Sequence, residues 1–205
     1  MIEKTINELN SIFKKLNNHF FNGKLITPFI LIQGKVKKHT LGTCSTAPIW
    51  EQRVESGQEG DRRYEITLSG EYLNRSTEEI VSTLLHEMVH LYCSLNNIKD
   101  TSNNCVYHNK KFKQEAEDHG LDVEKAPTIG WSVTTLTDPT KKVVESFKID
   151  ETAFDYWRNV IEIEKPKKKL FKYECSCGIK ISHYKALNIK CMECNKDFED
   201  VSDED

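Results

Sequence analysis

No stretch of this sequence is apolar for long enough to cross a bilayer, which takes about 20 consecutive apolar residues. Nor does one sign of charge dominate: 29 lysines and arginines face 32 aspartates and glutamates, so the net value of −3 says little until charge is followed along the chain. Proline and glycine are scarce, 5 and 9 of 205 residues, which excludes a fibrous or disordered chain and leaves a globular one. The opening Met-Ile-Glu-Lys-Thr-Ile has an acid at once and no unbroken apolar stretch after it. It does not read as a secretory signal, so the expectation is a cytoplasmic protein without a membrane partner.

Cysteine is present but uneven. Four of the seven stand near the C-terminus as Cys175-x-Cys177 and Cys191-x2-Cys194, whereas Cys44, Cys93 and Cys105 form no pattern and read as thiols in or near a core. In a reducing compartment the four-cysteine spacing reads as metal binding. Charge is uneven as well. Residues 165–190 hold eight lysines against Glu174 alone, and Glu199, Asp200, Asp203, Glu204 and Asp205 follow.

Ile6, Leu9, Phe13, Leu16 and Phe20 recur at helical spacing and predict a first helix ending at Asn22-Gly23. Strands are predicted over 28–33, 41–50 and 63–69, with Glu51 to Arg62 as a long hairpin loop. Ser76 with Glu79 forms a capping-box signature, starting a second helix that runs to about Asn96. A third helix is predicted over 109–119, stopped by Gly120; strands follow over 131–137 and 142–149, and a short helix over 151–160. Strands first and helices after them favour an α+β arrangement, a small and mostly antiparallel sheet packed on helices. The expected organisation is a main domain over 1–150, a connecting segment over 151–169, a four-cysteine ribbon over 170–198 and an acidic tail over 199–205.

The second helix carries His86-Glu87-Met88-Val89-His90. Residues four apart share one helix face, so both imidazoles can reach one metal ion, with Glu87 beside them as general base toward water. Two histidines and an acid inside a buried helix would otherwise be polar groups in search of partners. Catalytic zinc takes three protein ligands, and the candidates for the third are His108, His119, Glu115, Glu117 and Asp118. His108 stands where a loop can fold it back over the second helix; His119 has a simpler role beside helix-terminal carbonyls.

Phe21-Asn22-Gly23-Lys24-Leu25, Leu41-Gly42, the run Thr83 to His90, His108-x3-Phe112 ahead of Gly120, and Tyr173-x-Cys175-x-Cys177-Gly178 together resemble the SprT-like metallopeptidases, the family that includes Spartan. The resemblance implies a zincin-like domain in which zinc is held by His86, His90 and His108, with Glu87 catalytic. It also implies a protein substrate, one associated with or crosslinked to DNA. Residues 125–165 look like an insertion relative to that pattern.

The second site stands on its own residues. Two thiolate pairs, spanned by a hairpin built from residues 179–181 and 187–189, close a tetrahedral structural zinc site beside the catalytic one. Gly178 and Asn195 each follow a pair, where a knuckle turn calls for a left-handed residue. Lys167, Lys168, Lys169 and Lys172, with Tyr184 nearby, are suited to neutralising phosphates while aromatic faces stack on unpaired bases. Single-stranded or damaged DNA is therefore an expected partner. The rival reading is a nucleic-acid adaptor whose zinc does no chemistry.

Overall fold

The computed structural model of the chain describes residues 2–34, 40–55, 58–159 and 169–202. They fall into two compact units, Met1–Val160 and Ile161–Asp205.

In the first unit, helix α1 (Ile2–Phe20) is followed by strands β1 (Phe29–Gln33), β2 (Gly42–Cys44), β3 (Trp50–Glu51), β4 (Arg62–Arg63) and β5 (Glu65–Ser69). Then come α2 (Thr77–Leu95), β6 (Thr101–Ser102), β7 (Tyr107–His108), α3 (Lys110–Asp118), β8 (Leu121–Ala126), β9 (Gly130–Leu136) and α4 (Asp138–Glu145). A 3-10 turn over Glu151–Phe154 follows α4. The second unit holds β10 (Phe171–Glu174), β11 (Lys180–His183) and β12 (Glu199–Asp200). Among the described residues this is an α+β protein of four helices and small, mostly antiparallel sheets.

The apolar stripe of α1 buries Leu9, Ile12, Phe13 and Leu16, and the helix ends where Asn22 and Gly23 turn left-handed. Asn17 fixes the exit, since its side chain donates to the Leu25 carbonyl and accepts from the Leu25 N–H. Helix α2 starts on the Ser76–Glu79 capping box, both of whose hydrogen bonds are formed. It is buried over most of its surface, with Ile80, Val81, Leu84, Leu85, Met88, Val89 and Leu91 inside, which marks it as the central helix of the unit. It packs on β2, β5 and β9, and on α1 and α3.

The main sheet has the order β1-β5-β2, with β1 parallel and β2 antiparallel to β5. A second sheet, β6-β7-β9-β8, also packs on α2, through β9 and β8; its β7–β9 bridge pairs His108 in parallel with Gly130.

Several elements differ from the sequence reading. The run over 41–50 is two strands in separate sheets, because Pro48 cannot donate to a ladder and Ser45 turns the chain by bonding the Ala47 carbonyl. The segment read as a strand over 142–149 is instead the end of α4, through Glu145, and the turn after it. Thr137 caps that helix by accepting from the Thr140 N–H, and Pro139 sits in its first turn, where a missing N–H costs nothing. Strand β8 was not anticipated, because its outward acids mask a short alternation. The helix expected over 151–160 is only the single 3-10 turn, tied to α1 by a bond from the Thr5 hydroxyl to the Ala153 carbonyl. Residues 125–159 belong to the first unit. Of the three unpatterned cysteines, Cys93 is buried and Cys44 half-buried, but Cys105 is exposed.

In the second unit β10 pairs with β11 and, on its other side, with β12. Glu199 and Asp200, expected in a tail, are thus an edge strand of the ribbon. Residues 187–189 form no strand; β11 takes the place of the expected hairpin.

Candidate metal centre

Three histidines from two elements meet at one point. His86 and His90 lie one turn apart on α2, and His108 ends β7. Their Nε2 atoms stand 3.2 Å (His86–His108), 3.2 Å (His86–His90) and 3.1 Å (His90–His108) from one another. Three nitrogens each about 2.0–2.1 Å from one zinc at tetrahedral angles would lie about 3.3 Å apart, so the triangle has the size one ion requires.

Proton placement makes the same point. His108 Nδ1 donates to the Ile129 carbonyl at 3.2 Å, and His90 Nδ1 to the Asp100 carboxylate at 2.5 Å. Both partners only accept, so each ring holds a proton on Nδ1, and as a metal ligand would turn an Nε2 lone pair inward. The His90 and His108 Nε2 atoms then face each other at 3.1 Å, an approach that a shared cation would satisfy. His86 Nδ1 lies 3.1 Å from the Thr134 hydroxyl, so each of the three rings is held from behind.

Below the triangle, the buried ring of Phe112 lies 4.7, 4.6 and 4.7 Å from the ring centroids of His86, His90 and His108. Asn109 sets its height. The Asn109 side chain caps α3 through the N–H groups of Lys111 and Phe112 and donates to the Lys99 carbonyl, while its own N–H bonds the Asp100 carbonyl. One residue thus links α3, His108 and Asp100.

Burial pushes His86 well below the ordinary histidine range and brings His108 down to about 4, with the neighbouring imidazoles adding to the effect. Both rings are neutral and available as ligands near neutral pH. Burial raises the Glu87 carboxyl to about 7; His90 acts against that rise and Asp100 with it. A cation on the histidines would act in the lowering direction.

Glu87 is 4% exposed and lies against β2. A Cβ built on Gly42 would sit 2.9 Å from Glu87 Oε1 and 3.0 Å from its Cγ, so the carboxylate occupies space that only a glycine leaves. In the sequence Leu41-Gly42 stood out only as part of the family resemblance. Asp100, Thr134 and the Ile129 carbonyl left no sequence signal.

The other candidates for third ligand are elsewhere. His119 Nδ1 donates to the Glu115 carbonyl at 2.6 Å, and its ring stacks on Phe21 at 4.3 Å and meets Tyr92 at 4.6 Å. Glu117 pairs with Lys113, and Asp118 accepts from Gln114. Among the described residues, the cluster able to hold an ion here has three members.

In the second unit the four sulfurs of Cys175, Cys177, Cys191 and Cys194 lie within 4.8 Å of one another. The closest pairs are Cys175–Cys194 at 3.1 Å, Cys175–Cys177 at 3.4 Å and Cys177–Cys191 at 3.6 Å. Four thiolates converging this way suit a tetrahedral structural ion. Two knuckle turns aim them: Gly178 N–H bonds the Cys175 carbonyl and Asn195 N–H the Cys191 carbonyl, both residues being left-handed at φ 89° and 59°.

Of the residues expected to meet nucleic acid, Lys167 and Lys168 lie outside the described residues. Lys169 places its ammonium 5.1 Å from the Phe171 ring centroid, Lys172 lies within β10, and Tyr184 is 62% exposed. Tyr173 is buried, its hydroxyl accepting the Leu187 N–H, so this aromatic serves the ribbon's interior. Among the described residues no helix is long and apolar enough to cross a membrane.

A family model, the SprT-like family, matches residues 9–128, more than half of the chain and all of the three-histidine cluster. No curated protein and no solved structure matches the chain.

Proposed function

The chain belongs to the SprT-like family, and on that premise we propose that it is a zinc-dependent endopeptidase of zincin-like fold with Glu87 as its general base. The observation that carries this reading is the triangle of inward Nε2 atoms on His86, His90 and His108. When bound there, zinc would supply a Lewis acid for water and for the scissile carbonyl. Glu87, next to His86 in the chain and held in place at Gly42, accepts the proton of the attacking water and returns it to the departing amine. β2 is an outer strand of its sheet, so an extended substrate added along it would run past Glu87.

The adaptor reading needs a closed zinc, and a closed site takes four protein ligands. The cluster holds three, and Glu87 is not one of them, which favours the enzyme. For substrate we propose proteins held at DNA, with the ribbon as the single-stranded contact through Lys167, Lys168, Lys169, Lys172 and Tyr184. The support is the basic stretch and an exposed ring suited to stacking. The test incubates the zinc-loaded full chain with an unfolded protein, with and without single-stranded DNA. Cleavage that a chelator stops and added zinc restores is the expected result. A fully loaded protein that cuts nothing under either condition would sink the proposal.

A further inference from the structure

Strand β9 lies wholly beyond the residues that the family model matches, yet it supports two of the three histidines. Immediately before it, the Ile129 carbonyl accepts from both the His108 N–H at 3.0 Å and the His108 Nδ1 at 3.2 Å. Gly130, left-handed at φ +75°, pairs with His108, and a Cβ there would lie 2.2 Å from the His108 carbonyl oxygen. The strand therefore approaches the ligand's backbone more closely than any side chain permits. Side chains alternate along a strand, so Ser132 and Thr134 share a face with Gly130. Thr134 meets α2 twice: its hydroxyl lies 3.1 Å from His86 Nδ1, and its carbonyl accepts from Ser82, one turn before His86, at 3.1 Å. Between these anchors the Ser132 hydroxyl is the one buried side-chain polar atom without a partner among the described residues.

We infer that β9 is a positioning element of the metal site, bracing α2 against β7 so that His86 and His108 stand at the separation one ion requires. The inference rests on the zinc reading above. Coordination through His86 Nε2 requires the proton on Nδ1, and the Thr134 hydroxyl is the acceptor that keeps it there. Without that acceptor the ring can take its other tautomer or rotate away, so the apo site loses its preorganisation while the strand stays in place. Thr134 is thus a positioning residue, its side chain acting through His86.

The test compares full-length wild type, Thr134→Val, Thr134→Ser and Thr135→Val, the last altering an exposed neighbour that faces away. Imidazole 15N signals of the three histidines report zinc at this site alone while a chelator competes. Thr134→Val should lower affinity about 10-fold, the lower end for loss of an outer hydrogen-bond partner, and shift the apo His86 tautomer signal. Thr134→Ser should restore both, and Thr135→Val should change neither. Wild-type affinity in Thr134→Val, or an equal loss in Thr135→Val, overturns the inference and leaves the zinc reading standing. No zinc-dependent change in wild type overturns both.

Discussion

Asp100 Oδ2 lies 2.5 Å from His90 Nδ1, both side chains 15% exposed, so one imidazole of the cluster is oriented by a carboxylate. The pair is shielded, and a carboxylate behind a ligating ring raises its basicity as well as fixing its tautomer.

Asp100→Ala should therefore lower zinc affinity of the histidine site by about 10- to 100-fold. Chelator competition on the purified chain measures it, and an affinity equal to wild type would remove Asp100 from this role.

Glu87→Gln preserves the side-chain shape against Gly42 but cannot take a proton. Zinc content should stay at the wild-type value while turnover of an unfolded protein falls by about 10²–10⁴, the range for losing a general acid–base group. Metal analysis and proteolysis run on the same sample decide the point.

The reverse side of that contact is Gly42→Ala. The added methyl would occupy the space 2.9 Å from Glu87 Oε1, so the carboxylate must move. Turnover should drop with zinc binding retained, whereas a variant that keeps full turnover would show Glu87 does not need this placement.

His108→Ala and His119→Ala separate ligand from scaffold. The first should empty the histidine site. The second should leave zinc in place and cost about 1–3 kcal/mol in unfolding free energy, since it removes a buried ring stacked on Phe21. Equal zinc loss in both would give His119 the same claim to the metal as His108.

These contrasts also mark what the residues disclosed before any fold was known. Helix α2 was legible because its start and its chemistry are local: Ser76 and Glu79 three apart, His86 and His90 four apart. α4 was misread because Val143, Val144, Phe147 and Ile149 look like a strand, although Thr137-Asp138-Pro139 was a helix start in plain view. The outer partners were illegible for a different reason. Thr134 is 48 residues from His86 and Asp100 is 10 from His90, and no periodicity links positions brought together only by the fold. The Ile129 carbonyl is more hidden still, because a main-chain acceptor is supplied by any residue.

On the ribbon, affinity for single-stranded DNA should fall with salt at about −0.7 log units per log unit for each phosphate contact. Exchanging Lys167, Lys168 and Lys169 for glutamate should weaken binding and flatten that slope, and Tyr184→Ala should weaken it with the slope kept. Titrations at several ionic strengths check both, and binding unaffected by the lysine exchange would count against a phosphate contact.

Anyone excising the ribbon as a portable module should place the cut with β12 in mind. Glu199 and Asp200 pair with Glu174 and Tyr173, Val201 N–H bonds the Lys172 carbonyl, and Ser202 accepts the Lys172 N–H. A fragment trimmed at residue 198 to discard negative charge would lose one of its three strands and leave both Lys172 backbone groups without these partners. Any gain in DNA affinity would then be confounded with unfolding. Swapping Glu199 and Asp200 for glutamine and asparagine alters the charge and spares the strand.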